Sequence, residues 1–391
     1  MAREADILLR ASEVRRRAHL ILDRAKADGL THWRYEPAAL PRVADAVASV
    51  IAANYPTLDV PFHARWRHFV VGGFDHATMF KSPRDDAAAR SAFDLVIVSV
   101  LLDAGAGPDW RYRMADGGVL SRSEGLAIAS LDMFRQGAFA NDGRSPRADA
   151  QALRELTVAD LHAGFQVSPE NPLAGLEGRT ALINALGGAC RERPGEIYDI
   201  LKERARDGEV AAPDILATVL EKFNGIWPSR LSLDGAPLGD CWRHSALDGL
   251  PEAPGYMPFH KLSQWLSYSL IEPLQWANLR VTQIDGLTGL PEYRNGGLFI
   301  DGGVLAPHDP AALARTWRAE DEFIVEWRAL TVALLDELAP IVRERFGKSD
   351  REWPLATILE GGTWAAGRKL ARASRLDGSP PLNILSDGTV F

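Results

Sequence analysis

Apolar residues in this chain recur at helical spacing in one segment after another and almost never alternate, which limits the folds open to it more than any other feature. Ala87–Asp103 is the strongest case. Phe93, Leu95, Val96, Val98, Val100, Leu101 and Leu102 leave almost no polar side, so the segment predicts a buried helix, closed by Gly105–Pro108. Ser12 is placed to cap a first helix running to about Ala27, with Val14, Ala18, Ile21 and Leu22 on its apolar side and Arg15, Arg16 and Arg17 on a solvated face. Further helices are expected from Pro41 to before Asn54, from Ser123 to Phe134, and over Leu156–Phe165, Leu176–Cys190, Ala212–Phe223, Phe259–Gln275, Pro310–Phe346 with a break, and Leu355–Ala373. Gln136–Asp149 reads as a loop, and short strands fit around Tyr112–Val119 or Gly297–Val304. The fold class is therefore mainly α: one large helical domain over residues 1–391, with a division into lobes 1–150 and 151–391 left open.

Composition narrows the partners. With 52 acidic against 44 basic residues the formal charge is −8, which argues against a polyanion binder such as a nucleic-acid-binding protein, while a few local Arg and Lys still suffice for a small anion. The two cysteines, Cys190 and Cys241, lie far apart with no ligand-like spacing, so neither a zinc site nor a disulfide framework is expected and the compartment reads as reducing. The charged N-terminus lacks a signal-peptide core, and the most apolar run, Phe93–Leu102, is too short to span a bilayer. A soluble cytoplasmic protein with no membrane partner is expected; the oligomeric state is not legible.

Residues capable of chemistry concentrate in Phe259–Val304. Phe259, Leu262, Leu266, Leu270 and Pro273 fall on one helical face, and Lys261, Gln264 and Tyr268 form a polar column on another. Then Gly286, Gly289, Gly296, Gly297, Gly302 and Gly303 punctuate Glu292-Tyr293-Arg294-Asn295, which reads as a shaped loop bringing backbone close to a ligand. The competing reading is a solvated lysine and an ordinary turn. A second stretch, Pro61–Phe69, sets His63, Arg65, Trp66, Arg67 and His68 together, suited either to holding a planar group and a phosphate or to an interior seam. Asp240 is a site acid or a helix cap. Leu359-Glu360-Gly361-Gly362-Thr363-Trp364 breaks a helical pattern with two glycines, as close backbone packing or a pocket edge would.

These motifs resemble known ones. Phe259-His260-Lys261-Leu262-Ser263-Gln264 followed by Glu292-Tyr293-Arg294 is similar to the F-Y-K-x-x-Q helix and D-Y-R loop of the queuosine salvage nucleotide N-glycosylases, over about the C-terminal half. Nearly the whole chain resembles, more closely, the fungal and bacterial uracil-catabolism proteins of the fourth URC type, including the endings Leu359–Gly367 and Ser386–Phe391. The first resemblance implies a DNA-glycosylase-like helical fold and cleavage of an N-ribosidic bond. The second implies a pathway that opens the pyrimidine ring on ribose phosphate. Joined, they imply a small phosphorylated ribosyl substrate, ribosylurea 5-phosphate, hydrolysed to urea and ribose 5-phosphate without metal or cofactor.

The pattern holds no Ser-His-Asp order, HExxH, P-loop or GxGxxG after a strand, so carboxylate chemistry is what remains. Glu292 is the expected catalytic carboxylate, able to stabilise anomeric charge, activate water or attack directly, with Lys261 keeping it ionised or donating to the leaving group. His260, Gln264, Tyr293, Arg294, Asp240, His63, Arg65, Trp66 and Trp364 are the expected substrate-binding residues. Glu292 stands where the queuosine enzymes carry Asp, and Asn295-Gly296-Gly297 replaces their apolar-proline run, which bears on the substrate more than on the reaction type. An amidohydrolase acting on the opened ring and a noncatalytic regulator are the rival readings.

Overall fold

The computed structural model describes residues 4–81, 85–227 and 231–385; the ending Ser386–Phe391 lies outside them. The chain is mainly helical, with strands only in two-stranded pairs among the described residues. It divides into two compact units, each discontinuous in sequence: Met1–His63, Ser229–Gln264 and Gln283–Leu385 form one, and Ala64–Pro228 with Trp265–Thr282 form most of the other. The division does not fall at residue 150, which opens a helix, Ala150–Glu155, inside the second unit.

In the first unit the long helix Glu322–Phe346 packs against Ala11–Lys26 and Leu40–Asn54 and is buried on every side from Phe323 to Leu335. Residues 310–346 thus break as expected, into a short 3-10 turn at Pro310–Ala314, a strand at Thr316–Trp317 and this helix. Ala11–Lys26 starts on Arg10, with no side-chain cap from Ser12. Of its basic triplet only Arg16 is exposed as expected. Arg17 is fully buried, paired with Glu13, and its Nη1 donates to the carbonyls of Ala253 and Tyr256 at 2.7 Å each. Arg15 pairs with Asp336 at 2.8 Å. A guanidinium has five donors, and here distant carbonyls satisfy them, a use of arginine invisible to helical periodicity.

The glycine-rich stretch is a helix over Tyr293–Asp301, where the sequence pointed to a loop or a strand; the strand comes after it, Leu305–Pro307, paired antiparallel with Trp33–Tyr35. Gly296 and Gly297 serve proximity rather than turning. A Cβ on Gly296 would run into the Trp327 indole, one on Gly297 would lie 3.1 Å from Pro381, and one on Gly367, in the neighbouring helix Trp364–Ser374, would strike the backbone carbonyl of Arg294. Gly296→Ala is expected to cost about 1–3 kcal/mol by overpacking, read as a lower urea midpoint; an unchanged midpoint would contradict the close approach.

In the second unit the predicted buried helix appears as Asp86–Leu101, with Asp85 capping it and Phe93–Leu101 buried throughout. It packs on Arg122–Arg135, Leu176–Ala189 and Glu196–Arg204. Residues 136–149 lack regular structure, as expected, and Tyr112–Arg113 pairs with Val119–Leu120 as a small hairpin. No helix among the described residues is long and apolar enough to cross a membrane, and none of their His, Cys, Asp and Glu form a group of three or more able to hold a metal ion. Cys190 and Cys241 are buried and free.

Candidate functional site

The helix Lys261–Trp276 contributes its first turn to the first unit, and Asp240 fixes that turn. The Lys261 N–H donates to Asp240 Oδ2 at 3.0 Å, Arg328 binds the same carboxylate through two nitrogens at 2.7 and 2.8 Å, and Trp242 Nε1 donates at 2.7 Å. Burial works to raise the Asp240 pKa, but the Arg328 charge and these hydrogen bonds outweigh it and hold the carboxyl well below the ordinary range. The Arg328 guanidinium also lies 4.0 Å over the Phe259 ring. Asp240 is therefore a cap whose carboxylate is spent on the scaffold.

His260 and Gln264 belong to the same scaffold. His260 sits at φ 49°, is buried, and its Nε2 faces the Leu8 carbonyl at 2.9 Å. The buried Gln264 accepts from the Thr288 N–H at 2.9 Å and donates to the Thr288 hydroxyl at 2.5 Å, tying the helix start to the segment that delivers Glu292. Two residues expected at the substrate thus hold the backbone around it.

Glu292 is the N-cap of Tyr293–Asp301, its two oxygens accepting from the N–H groups of Arg294 at 2.7 Å and Asn295 at 2.6 Å. The positive end of the helix faces the carboxylate. Even so, burial pushes its pKa above the ordinary glutamate value, with the two N–H groups, Lys261 and His63 pulling the other way. Lys261 accordingly does not leave the carboxyl with a lowered pKa, as the sequence suggested; it offsets part of a desolvation cost. The Tyr293 phenol is pushed up to about 12, by burial first and by the Glu292 charge second, and stays a neutral donor at physiological pH. Arg294 turns its guanidinium to the Gly378 carbonyl at 3.2 Å.

His63 brings a second carboxylate with it. Its Nδ1 lies 2.8 Å from Glu360 Oε2, and its backbone N–H donates to the Ala356 carbonyl at 2.9 Å. Glu360 stands on a π-helical turn, Leu359–Thr363, set into an otherwise α-helical run. Such turns are frequent at functional sites. Here the turn is held by Gly361 and Gly362, where a Cβ would lie 2.9 Å from Val60 and 2.5 Å from Val47. Glu360 was not among the expected site residues; the paired glycines interrupting a helical pattern, which fit close backbone packing or a pocket edge, were its signal.

The site that emerges holds Glu292, Lys261, His63 and Glu360, with Tyr293 adjoining, all within the first unit. Arg65 and Trp66 are not part of it. Both are fully buried in the second unit, Arg65 paired with Asp103 at 2.9 Å and bonded to Ser99 Oγ at 2.8 Å, and Trp66 donating to the Ser269 carbonyl at 2.8 Å. From Arg65 on, the interleaved arginines and aromatics are largely an interior, Arg65 answered by Asp103 and Ser99 and Arg67 by Glu272. Trp364, directly after the π turn, lines an open surface groove.

Among known proteins the chain is similar to protein urg3 of Schizosaccharomyces pombe, 41% identical over 98% of each chain, and to uracil catabolism protein 4 of Lachancea kluyveri, 39% identical over 92% of each. A family model described as "Protein of unknown function (DUF1688)" matches residues 7–391, and the chain belongs to that family.

Proposed function

We propose that this protein is a hydrolase of uracil catabolism that cleaves the N-ribosidic bond of ribosylurea 5-phosphate, giving urea and ribose 5-phosphate. The observation that carries the reading is the half-buried Glu292, its carboxylate held by two helix N–H groups and flanked by Lys261 and His63. The name of the Lachancea kluyveri relative supports the metabolic setting, and the sequence resemblance to nucleotide N-glycosylases supports the bond cleaved.

The chemistry follows from charge. As the anomeric carbon–nitrogen bond breaks, its electron pair leaves with the urea nitrogen and the sugar becomes oxocarbenium-like; a fixed carboxylate stabilises that charge. Water adds its oxygen to the anomeric carbon and gives a proton to Glu292, whose raised pKa makes it a better base than an ordinary glutamate. The leaving nitrogen needs a proton, and in this reading His63 donates it, the Glu360 contact to its Nδ1 supporting that role. No cofactor enters the balance. Incubation of the chelator-treated protein with ribosylurea 5-phosphate and, separately, with uridine 5′-phosphate tests the reading. Urea and reducing sugar from the first alone are expected; uracil from the second, or tight binding of both without sugar release, would refute it.

Because the Glu292 pKa lies above its ordinary value, the acid limb of kcat/KM is expected above the pH at which a solvated glutamate titrates, with activity rising as pH increases through it. Lys261→Met removes one of the groups that lower this pKa. The limb should move to higher pH, and both binding and rate should weaken; a superimposable profile would return Lys261 to an ordinary surface role.

A further inference from the structure

Two stretches that serve the site meet at Asp285. One runs from the short 3-10 turn Ile284–Gly286 on to Glu292, and the other is the helical run over residues 355–374, which carries Glu360. Asp285 Oδ1 accepts from the Leu355 N–H at 2.5 Å, across 70 residues of sequence, and its Oδ2 accepts from Arg343 Nη2 at 2.6 Å. We propose that Asp285 is a positioning residue, holding the His63–Glu360 pair in register with Glu292; that this register serves bond cleavage rests on the reading above.

The need for such a tie is local. A helix start leaves its first N–H groups without partners inside the helix, and the residue in front of it ordinarily supplies an acceptor from its side chain. Here that residue is Pro354, which has no acceptor to offer. Asp285 supplies the oxygen from a different segment, so the bond that caps the helix also fixes where it begins relative to the Glu292 stretch. Arg343, on the long helix Glu322–Phe346, completes the arrangement: its Nε donates to the Trp353 carbonyl at 2.7 Å while its Nη2 holds Asp285. One planar guanidinium thus fixes both the capping carboxylate and the chain that enters the capped helix.

The next turn shows what is positioned. The Ala356 carbonyl, directly after the capped N–H, accepts from the His63 backbone N–H at 2.9 Å, and Glu360 lies against His63 Nδ1 at 2.8 Å. A shift of the helix start therefore carries the His63 backbone and its side-chain partner together. On the other side of the tie, the Leu287 carbonyl is held by Arg15 Nη2 at 2.7 Å and Thr288 is bound to Gln264, in the helix that begins at Lys261. The Glu292 stretch is thereby fixed to the scaffold, and Asp285 references the His63 side of the site to it.

Histidine side-chain ¹⁵N NMR and steady-state kinetics on ribosylurea 5-phosphate test this with Asp285→Ala and Asp285→Asn. Glu360→Ala marks the His63 Nδ1 resonance of a ring that has lost its carboxylate, and thermal melts confirm that each variant is folded. Asp285→Ala is expected to move the His63 resonance toward its position in Glu360→Ala and to lower kcat about 10–100-fold with KM nearly unchanged, the scale for a displaced reacting group. Asp285→Asn keeps an oxygen for the Leu355 N–H and should lie between wild type and Asp285→Ala on both measures. A folded variant with a lower Tm but a wild-type resonance and kcat would overturn the proposal, because that is the behaviour of a cap with a structural role alone. A fall in kcat with the His63 resonance in place would overturn it as well. A displaced resonance in Asp285→Ala, when the wild-type protein leaves ribosylurea 5-phosphate intact, would support the tie and refute the hydrolase reading.

Discussion

Glu292→Gln is expected to lower turnover by about 10²–10⁴-fold, the range for loss of a general base or of a group that stabilises transition-state charge. Substrate affinity should change little, since the charge it answers exists only as the bond breaks. The effect on stability is the sum of two opposing changes. Glu292 caps a helix through two N–H groups, and a weakened cap costs about 0.5–2 kcal/mol. Against this, the folded state disfavours the ionised carboxyl: with its pKa raised, stability tied to this group is present below the unfolded value and is lost as pH rises through the folded one. A neutral amide escapes that loss at pH 7, so the melting temperature should stay near that of the wild type. Undiminished turnover, measured as urea release, would remove Glu292 from the chemistry.

Asp240→Asn is expected to have the largest effect on stability, about 3–5 kcal/mol, because it leaves the fully buried Arg328 without its counter-charge. Tm should fall by on the order of 10 °C. Activity should fall with it, since the same carboxylate fixes the Lys261 backbone. Adding Arg328→Met should recover part of the loss, because an apolar pair is tolerated where a lone buried charge is not. The lowered pKa gives the pH dependence its sign. The pair contributes fully above the ordinary aspartate value, and that contribution is lost only as pH falls through the depressed one. A single variant melting like the wild type would mean the pair is not buried as described.

What could be read in the sequence follows a physical division. Helices buried on a whole face or more, such as Asp86–Leu101 and Ala212–Phe223, announce themselves because their apolar pattern is local. Asp240 stayed open between a site acid and a cap, because the N–H that it holds, on Lys261, and its counter-charge, Arg328, are not its sequence neighbours. The glycines near Glu292 were not legible, because their partners, Trp327 and Pro381, lie far along the chain and only tertiary packing separates a glycine that turns from one that admits a neighbour. Arg17 and Arg65 were missed likewise: their acceptors at residues 252–256 and at Ser99 and Asp103 turn apparent surface or site cations into interior ones. The candidate site came through in part. Glu292, Lys261 and His63 fall together, while the partner that orients His63, Glu360, depends on a π turn that no helical period predicts.

The central claim is that the bond broken is the one between the anomeric carbon and nitrogen. Ribosylurea 5-phosphate carrying ¹³C at both the anomeric carbon and the urea carbonyl, followed by NMR with wild-type protein in chelator, tests it most directly. Both signals are expected to move together, the anomeric carbon to that of free ribose 5-phosphate and the carbonyl to that of free urea, with Glu292→Gln leaving both in place over the same interval. A carbonyl signal that departs as bicarbonate while the anomeric carbon stays bonded to nitrogen would contradict the account and identify an amidohydrolase instead.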